Sequence, residues 1–231
     1  MSIIREERIG GQRLILGDCL EVMPTLGRFD AVVTDPPYGI EAAARGTIGS
    51  SKKAPVKDYG AKSWDVEPAS ADCIALIRRI SSHQIIFGGN YFEGLGPTSC
   101  WLVWDKQNTG EFADCELAWT NLPKAVRRIY WRWNGMIRRG DDVRVHPTQK
   151  PLGVMEWCLT HLPKGASTIL DPFAGSGTTA VACQRMGFAG TAIERDPEYF
   201  EAMCRRVDEA ARQPDLLIDA PTAKPHQEAL I

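Results

Sequence analysis

The sequence predicts an α/β protein with a doubly wound, mostly parallel sheet, and three observations predict this class. An apolar run at residues 29–33 stops at two consecutive prolines, and another at residues 168–171 leads into a Gly-x-Gly turn. The second run is followed by a helical segment and by a third run that ends at Glu194. Strand, glycine turn, helix, strand and acidic residue, in this order, are typical of sheets that bind a nucleotide-like ligand.

The first unit of the chain is predicted to be a parallel crossover. Residues 13–16 are predicted to form a strand that ends at Gly17-Asp18, residues 20–26 a helix, and residues 29–33 a buried strand. Two strands that flank a helix can pair in parallel when the connection crosses over the sheet.

The stretch Thr34-Asp35-Pro36-Pro37-Tyr38-Gly39 follows this buried strand. Because proline fixes φ and lacks the N–H that a strand needs, the chain must leave the sheet here. An acidic side chain, rigid carbonyl groups and an aromatic ring then lie at a strand's carboxyl end, where open α/β sheets bind ligands. A proline-rich surface turn is the alternative interpretation of this stretch taken alone.

The middle of the chain combines a predicted loop with regular elements. Residues 40–64 contain Gly, Ser, Lys and Pro without an apolar period, which predicts a mobile loop over about 41–63. Residues 71–80 carry apolar side chains at helical spacing, and residues 84–87 and 99–104 are predicted strands. A long loop beside a ligand site is typical of a lid or a binding loop.

Residues 105–145 differ in composition and are predicted to be an insertion with little regular structure. Tryptophan and tyrosine alternate here with arginine, which suits phosphate contacts combined with base stacking. The alternative is a β-hairpin whose tryptophans pack inward while its arginines face water. The arginines predicted to contact nucleic acid are Arg127, Arg128, Arg132, Arg138 and Arg139.

The last third is predicted to be regular up to residue 212, so that residues 1–212 form one domain. Residues 213–231 contain proline without any period and are predicted to be an extended or disordered tail. The predicted elements are a helix at 152–161, a strand at 168–171, a helix at 179–186, a strand at 190–193 and a helix at 197–212 that opens with proline.

The glycine turn has three possible interpretations. A phosphate loop needs a lysine directly after its last glycine, but Thr178 follows Gly177. A dinucleotide fold needs a third glycine three residues after the second, where this chain has Ala180. The third, a site for S-adenosylmethionine (SAM), is implied by a resemblance of residues 171–179. Glu194, seventeen residues after Gly177, is placed to accept hydrogen bonds from ribose hydroxyls.

Two motifs resemble those of DNA amino-methyltransferases, which use SAM to methylate an exocyclic amino group of a base. Residues 171–179 are similar to the SAM-binding motif of these enzymes, and Asp35-Pro36-Pro37-Tyr38 is similar to their catalytic motif. The resemblance covers residues 14–207, and the catalytic motif comes first, as in the circularly permuted β class. It implies a seven-stranded SAM-methyltransferase sheet with residues 105–145 as a short target-recognition region.

The resemblance also implies catalytic roles. The Asp35 carboxylate and the Pro36 carbonyl would accept the amino hydrogens of a flipped-out adenine, and Pro37 would help to hold these acceptors rigid. Tyr38 would stack on the base. No metal ion and no covalent enzyme intermediate is implied.

The residues implied to hold SAM surround both motifs. Asp18 would bind the adenine amino group of SAM, and Thr148 with Lys150 its carboxylate end. Helix capping is the alternative role for Asp18 and Thr178, and a plain surface charge is the alternative for Lys150. The full set is Asp18, Asp35, Thr148, Lys150, Asp171, Phe173, Gly175, Ser176, Gly177, Thr178 and Glu194.

Charge is segregated along the chain although the net charge is only −2. Residues 43–62 hold five basic residues and one acidic, a net +4, and residues 124–150 hold eight and two, a net +6. The remainder therefore carries −12. This predicts two basic surfaces that contact a phosphate backbone, Lys52 and Lys53 included, with two solvated basic loops as the alternative.

The composition argues against several other classes. The 231 residues are 44% hydrophobic and 24% charged, as in soluble globular proteins, and the longest apolar run is too short for a transmembrane helix. The first eight residues lack a hydrophobic signal region, so a cytoplasmic location is expected. The seven cysteines are scattered singly, which predicts buried thiols and no metal site.

The sequence thus predicts a site-specific, SAM-dependent DNA adenine-N6 methyltransferase that acts on duplex DNA as a homodimer, as restriction-modification methyltransferases do. Segments 87–92 and 104–106 are similar to those of phage and prophage adenine enzymes. Asp35 in the first motif position favours adenine, because cytosine-N4 enzymes of this architecture more often carry serine there. The alternatives are cytosine-N4 methylation, RNA amino-methylation and a non-catalytic DNA-binding subunit.

Overall fold

The computed structural model describes residues 2–39, 47–48, 57–58, 67–107, 113–132 and 149–213. The first elements are strands β1 (Arg5–Ile9) and β2 (Gln12–Leu16), helix α1 (Cys19–Val22), the 3-10 turn Met23–Thr25, strand β3 (Phe29–Thr34), and the short strands β4 (Thr47–Ile48) and β5 (Lys57–Asp58). They are followed by α2 (Ala71–Ile80), β6 (Ser81–Phe87), β7 (Trp101–Asp105), β8 (Cys115–Thr120), β9 (Arg127–Tyr130), α3 (Leu152–Thr160), β10 (Thr168–Asp171), α4 (Thr178–Met186), β11 (Ala189–Glu194) and α5 (Pro197–Arg212).

A mixed sheet of nine strands carries the fold, in the order β1-β2-β11-β10-β3-β6-β8-β7-β9. Strands β1 and β8 run antiparallel to their neighbours, and all other neighbouring pairs in this sheet are parallel. The predicted α/β class is confirmed, but the sheet has more than the seven predicted strands. Strands β4 and β5 form a separate antiparallel pair.

Helices cover both faces of the sheet, as the doubly wound class requires. In β2, Leu14 and Leu16 belong to a buried cluster with residues of α3, α4 and α5, whereas Ile15 belongs to a second cluster with residues of α1 and α2. Successive strand side chains point to opposite faces, so this alternation follows from strand geometry. Within the described ranges, no helix is long and apolar enough to cross a membrane.

Residues 105–145 were predicted to be an insertion with little regular structure, and this prediction was wrong for the part that the structure describes. Its described residues form β8 and β9, and both strands belong to the main sheet. Trp119 is buried in the core, whereas Arg127 and Arg128 are exposed. The alternative of a β-hairpin was therefore correct in placing a tryptophan in the core and arginines in solvent. It was wrong about the pairing, because β8 and β9 each pair with β7 and not with one another.

Two amino-terminal elements also differ from the prediction. Strand β1 was missed because its sequence is mostly charged; it is an outer strand joined to β2 by a turn with Gly10 at φ +57°. The helix predicted at 20–26 is only the four-residue α1 followed by a 3-10 turn, since Pro24 cannot donate the hydrogen bond that would continue the helix.

Candidate active site

The two motifs emerge side by side from neighbouring parallel strands. Strands β3 and β10 pair directly, with Ala31 opposite Ile169. Both strands therefore end at the same edge of the sheet, where Thr34 Oγ1 donates a 2.7 Å hydrogen bond to Asp171 Oδ1. This contact joins the start of the Asp-Pro-Pro-Tyr turn to the start of the glycine turn.

A cleft of about 770 Å³ opens at this edge. It is lined by residues of both motifs and also by Pro37, Pro68 and Gln149, which the sequence analysis did not assign to the cofactor. The predicted cofactor residues that line it are Asp18, Asp35, Lys150, Asp171, Phe173, Gly175, Ser176, Thr178 and Glu194.

Glu194 holds the glycine turn in place. Its Oε2 accepts a 2.8 Å hydrogen bond from the Gly175 N–H, and its Oε1 accepts one of 2.7 Å from the Asp196 N–H. Burial raises the pKa of Glu194 above its ordinary value, although these backbone donors oppose the rise. Each carboxylate oxygen has a second lone pair, so the side chain can also accept bonds from a ligand.

Asp171 lies at the base of the cleft. Besides Thr34, the Phe173 N–H donates to Asp171 Oδ1 at 3.1 Å. Burial raises the pKa of Asp171 to about 6, and the hydrogen bonds only partly offset this. Its charge therefore changes near neutral pH.

Asp18 caps a helix and also lines the cleft. It is the N-cap of α1, accepting a 2.8 Å hydrogen bond from the Leu20 N–H, and it also lines the cleft. An N-cap carboxylate keeps free lone pairs, so capping and ligand binding are compatible.

The end of the glycine turn contacts α5. Gly177 has φ +81°, and a Cβ there would lie 2.5 Å from Met203 Cγ. Arg206 donates to the Ser176 carbonyl at 2.7 Å and to Thr178 Oγ1 at 3.2 Å. The structure thus gives these turn residues contacts that anchor the turn on α5, in addition to the cleft-facing positions of Ser176 and Thr178.

Asp35 lies at the centre of a buried polar group. The Tyr38 hydroxyl donates to its Oδ1, and the Lys150 ammonium donates to its Oδ2. Lys150 was predicted to meet the carboxylate of SAM, and in the structure its partners are Asp35, Glu116 and Tyr38. Burial opposes the charge of Lys150, but Asp35 and Glu116 outweigh it and raise the pKa of the ammonium.

Glu116 is a candidate that the sequence analysis missed. Its Oε1 pairs with Lys106 Nζ at 2.6 Å and its Oε2 with Lys150 Nζ at 3.1 Å. Because β8 runs against β7, the start of β8 lies at the edge where β3 and β7 end. Burial opposes ionisation, but Lys150 and Lys106 lower the pKa of Glu116 to about 2. No local pattern signals this contact, since it depends on strand pairing.

An aromatic cluster surrounds Tyr38. The Tyr91 ring stacks on it with centroids 5.2 Å apart at 12°, and the Phe92 ring lies edge-on at 6.1 Å. A Cβ on Gly88, which has φ +66°, would lie 2.1 Å from Tyr38 Cε1. The Gly88-Gly89 turn after β6 therefore makes room for this ring.

The predicted DNA-contacting residues are only partly described. Arg127, Arg128 and Arg132 are exposed. Arg127 opens β9 opposite Leu102, whereas the other end of β9, opposite Asp105, lies at the cleft edge and leads to Arg132. Lys52, Lys53, Arg138, Arg139 and Thr148 lie outside the described residues, as do most of the predicted loop and the tail beyond residue 213.

Five of the seven cysteines are buried. Cys73, Cys100, Cys158, Cys183 and Cys204 are buried, as predicted, but Cys115 is exposed. In the described part of the chain, no three His, Cys, Asp or Glu side chains are grouped so that they could hold a metal ion.

Known proteins that resemble this chain include DNA methylases. Residues 99–205 match the family N6_N4_Mtase, described as DNA methylase. The protein YubD of Escherichia coli (strain K12) is 25% identical over 221 residues, which cover 84% of this chain and 89% of YubD.

Solved structures share the fold. The M1.HpyAVI–SAM complex has a TM-score of 0.54 and 23% identity, covering 84% of this chain and 99% of its own. The cytosine-N4-specific PvuII DNA methyltransferase has a TM-score of 0.57 and 14% identity, covering 89% of this chain and 90% of its own. At these identities the likeness concerns the fold alone.

Proposed function

We propose that this chain, a DNA methyltransferase of the N6/N4 family, transfers the methyl group of SAM to N6 of adenine in duplex DNA. One observation carries the proposal. Strands β3 and β10 are neighbours, so Asp35 and the Gly175 turn line a single cleft of about 770 Å³.

The cleft fits SAM. Glu194 and Asp18 offer carboxylate acceptors for the ribose hydroxyls and the adenine amino group, and Phe173 and Gly175 line the turn between them. Asp171 places negative charge in the same cleft, which suits a cationic ligand, whereas the charge of Asp35 is balanced by Lys150. When bound, SAM supplies an electrophilic methyl group on a sulfonium.

Asp35 and Pro36 activate the target amino group. The lone pair of this group is delocalised into the base ring, which makes it a poor nucleophile. Hydrogen bonds from the amino hydrogens to the Asp35 carboxylate and the Pro36 carbonyl draw the nitrogen towards tetrahedral geometry and free the lone pair. Because Pro36 and Pro37 have a fixed φ, these acceptors need little reorganisation when the substrate arrives.

The target base must leave the duplex to reach Asp35. The hydroxyl of Tyr38 donates to this carboxylate, and its ring would stack on the flipped base. Such stacking contributes about 1–3 kcal/mol for each base. Arg132 and the basic segments would hold the phosphate backbone, and a homodimer would extend the contact along the duplex.

Adenine is favoured over cytosine because Asp35 occupies the first position of the catalytic motif. Cytosine N4 is the second candidate, since the PvuII enzyme of this fold is cytosine-N4-specific. Both reactions use the same amino chemistry, so the acceptors at Asp35 and Pro36 serve either base.

Nucleoside mass spectrometry tests the proposal. The protein is incubated with SAM and unmethylated λ-phage DNA, which is then digested to nucleosides. We expect N6-methyladenine. N4-methylcytosine without N6-methyladenine would reject the choice of base, and the absence of any methylated nucleoside would reject the activity on DNA.

A further inference from the structure

We propose that Glu116 is a positioning residue that allows the target amino group to replace Lys150 at Asp35. The inference rests on the proposed function, because it needs an exocyclic amino group to enter the site. It applies equally to adenine N6 and cytosine N4.

Both oxygens of the Asp35 carboxylate already have donors within the chain. The Tyr38 hydroxyl occupies Oδ1, and the Lys150 ammonium occupies Oδ2. Each oxygen keeps a second lone pair, but the Asp35 side chain is only 19% exposed, so there is little room for a third donor beside these two. We therefore infer that an incoming amino group competes with one of them. The ammonium is the more mobile donor, because it ends a flexible side chain, whereas the Tyr38 ring is packed against Tyr91 and Phe92.

Lys150 cannot be displaced without another anion nearby. Its side chain is only 7% exposed, and an unpaired buried charge is strongly unfavourable. The Nζ atom donates hydrogen bonds to Asp35 and to the Tyr38 hydroxyl at 3.3 Å, and it forms an ion pair with Glu116 at 3.1 Å. When Asp35 turns to the target, Glu116 still neutralises the ammonium.

Glu116 is itself fixed in place. Lys106 Nζ holds its other oxygen at 2.6 Å, and the side chain is 23% exposed. The ring of Phe87 lies 5.2 Å from Lys150 Nζ and provides a further favourable contact for the ammonium. Asp35 and Glu116 balance Lys106 and Lys150 in charge, and a neutral amino group leaves this balance unchanged.

The test compares Glu116→Gln with the wild type, using unmethylated λ-phage DNA and tritiated SAM. In the variant, Asp35 is the remaining carboxylate partner of Lys150, so the exchange becomes harder. We expect the KM for DNA to rise by at least about tenfold and kcat to change by less than about threefold. SAM affinity, measured by calorimetry without DNA, should stay unchanged.

Four further variants separate positioning from a general structural effect. Adding Glu116→Gln to Lys150→Gln should change KM by less than about twofold, because a neutral amide at position 150 needs no anion. Glu116→Asp, which keeps the charge on a shorter side chain, should give an intermediate KM. Glu201→Gln removes an exposed carboxylate that pairs with Arg5 and should behave as wild type. If Glu116→Gln fails to fold, Glu116→Asp carries the test.

Several results would overturn the inference. One is a KM for DNA in the Glu116 variants that equals the wild-type KM. Another is a rise in KM on adding Glu116→Gln to Lys150→Gln that equals its rise in the wild type. If the wild type methylates DNA but the KM does not respond, the inference fails while the proposed function stands. If the wild type transfers no methyl group to DNA, both fail.

Discussion

The Asp35 carboxylate is held in place by hydrogen bonds, as the proposed mechanism requires. The donors are the Tyr38 hydroxyl and Lys150, and the two prolines that follow Asp35 fix the direction of the turn. Burial raises the pKa of Asp35, whereas Lys150 acts in the opposite direction and favours the ionised form that accepts amino hydrogens. The charge of this residue thus depends on partners from distant parts of the chain.

The raised pKa of Asp171 indicates how cofactor binding should depend on pH. Its pKa is raised to about 6, so the negative charge is present above that pH and is lost below it. Affinity for cationic SAM should therefore fall relative to S-adenosylhomocysteine, which lacks the sulfonium charge, between about pH 7.5 and pH 5. Calorimetry with both ligands measures this ratio.

The matched variant is Asp171→Asn, which should weaken this pH dependence while keeping the size of the side chain. A SAM to S-adenosylhomocysteine affinity ratio that stays constant across the range in the wild type would contradict a role for this charge.

Gly88→Ala tests the position of the Tyr38 ring. A Cβ at Gly88 would lie 2.1 Å from Tyr38 Cε1, so the ring must move. We expect methyl transfer to fall by at least about tenfold, since a misplaced catalytic group strongly reduces the rate. SAM binding should persist. Gly94→Ala is the control, because Gly94 also has a positive φ but no atom within 4 Å of a Cβ; equal losses in both variants would contradict the argument.

At the scale of elements, the glycine turn, which we propose as a ligand site, also packs tightly against α5. Gly177 ends the turn and caps α4, and its lack of a side chain allows Met203 of α5 to pack closely. Arg206 of α5 binds the same turn. Helix α5 therefore supports the turn that lines the cleft.

Gly177→Ala measures this packing. The left-handed conformation alone should cost about 1 kcal/mol, and the overlap with Met203 about 1–3 kcal/mol more. Gly187→Ala, at φ +76° with no atom within 4 Å of a Cβ, should show only the first cost. Urea unfolding gives both values. Equal destabilisation by the two substitutions would show that Met203 does not restrict this position.

The sequence predicted those elements whose signals are local. Helix α5 begins and ends as predicted, because Pro197 and the helical apolar period mark it. The strands β3 and β10 were also found, since proline and glycine end them. Strand β1 was missed because it is an outer strand of mostly charged residues, so its sequence lacks the apolar pattern by which a buried strand is recognised.

Contacts between distant strands could not be predicted. The position of Glu116 beside Lys150 depends on β8 running against its neighbours. The sequence around Cys115, where β8 begins, does not indicate that this strand runs antiparallel to its neighbours. The partners of Lys150 could not be predicted either, because a sequence motif identifies a residue but not the side chains that surround it.

At the scale of the whole molecule, charge is divided between an acidic body and basic segments. Arg132 follows β9 near the edge where the cleft lies and is exposed. Arg127 begins this strand, about 10 Å from its last residue Tyr130 by the rise of a β-strand, and Arg128 follows Arg127. We therefore expect Arg132 to be the closest of these three to DNA at the cleft.

Arg132→Ala tests this contact. The slope of log affinity against log salt concentration should decrease by about 0.9 if one phosphate contact is lost. Fluorescence anisotropy with labelled fragments of λ-phage DNA measures it. Arg212→Ala, which removes an exposed arginine paired with Asp208, should leave the slope unchanged. A wild-type slope in Arg132→Ala would remove this residue from the DNA surface.

The most direct test of the account is methyl transfer by Asp35→Asn, measured with tritiated SAM and unmethylated λ-phage DNA. Asp72→Asn, an exposed substitution on α2, is the matched control. Because the amide cannot replace both acceptor positions of the carboxylate, we expect transfer to fall by at least about a hundredfold. SAM affinity should change by less than about tenfold. Wild-type transfer by Asp35→Asn would contradict the central claim that this carboxylate activates the target amino group.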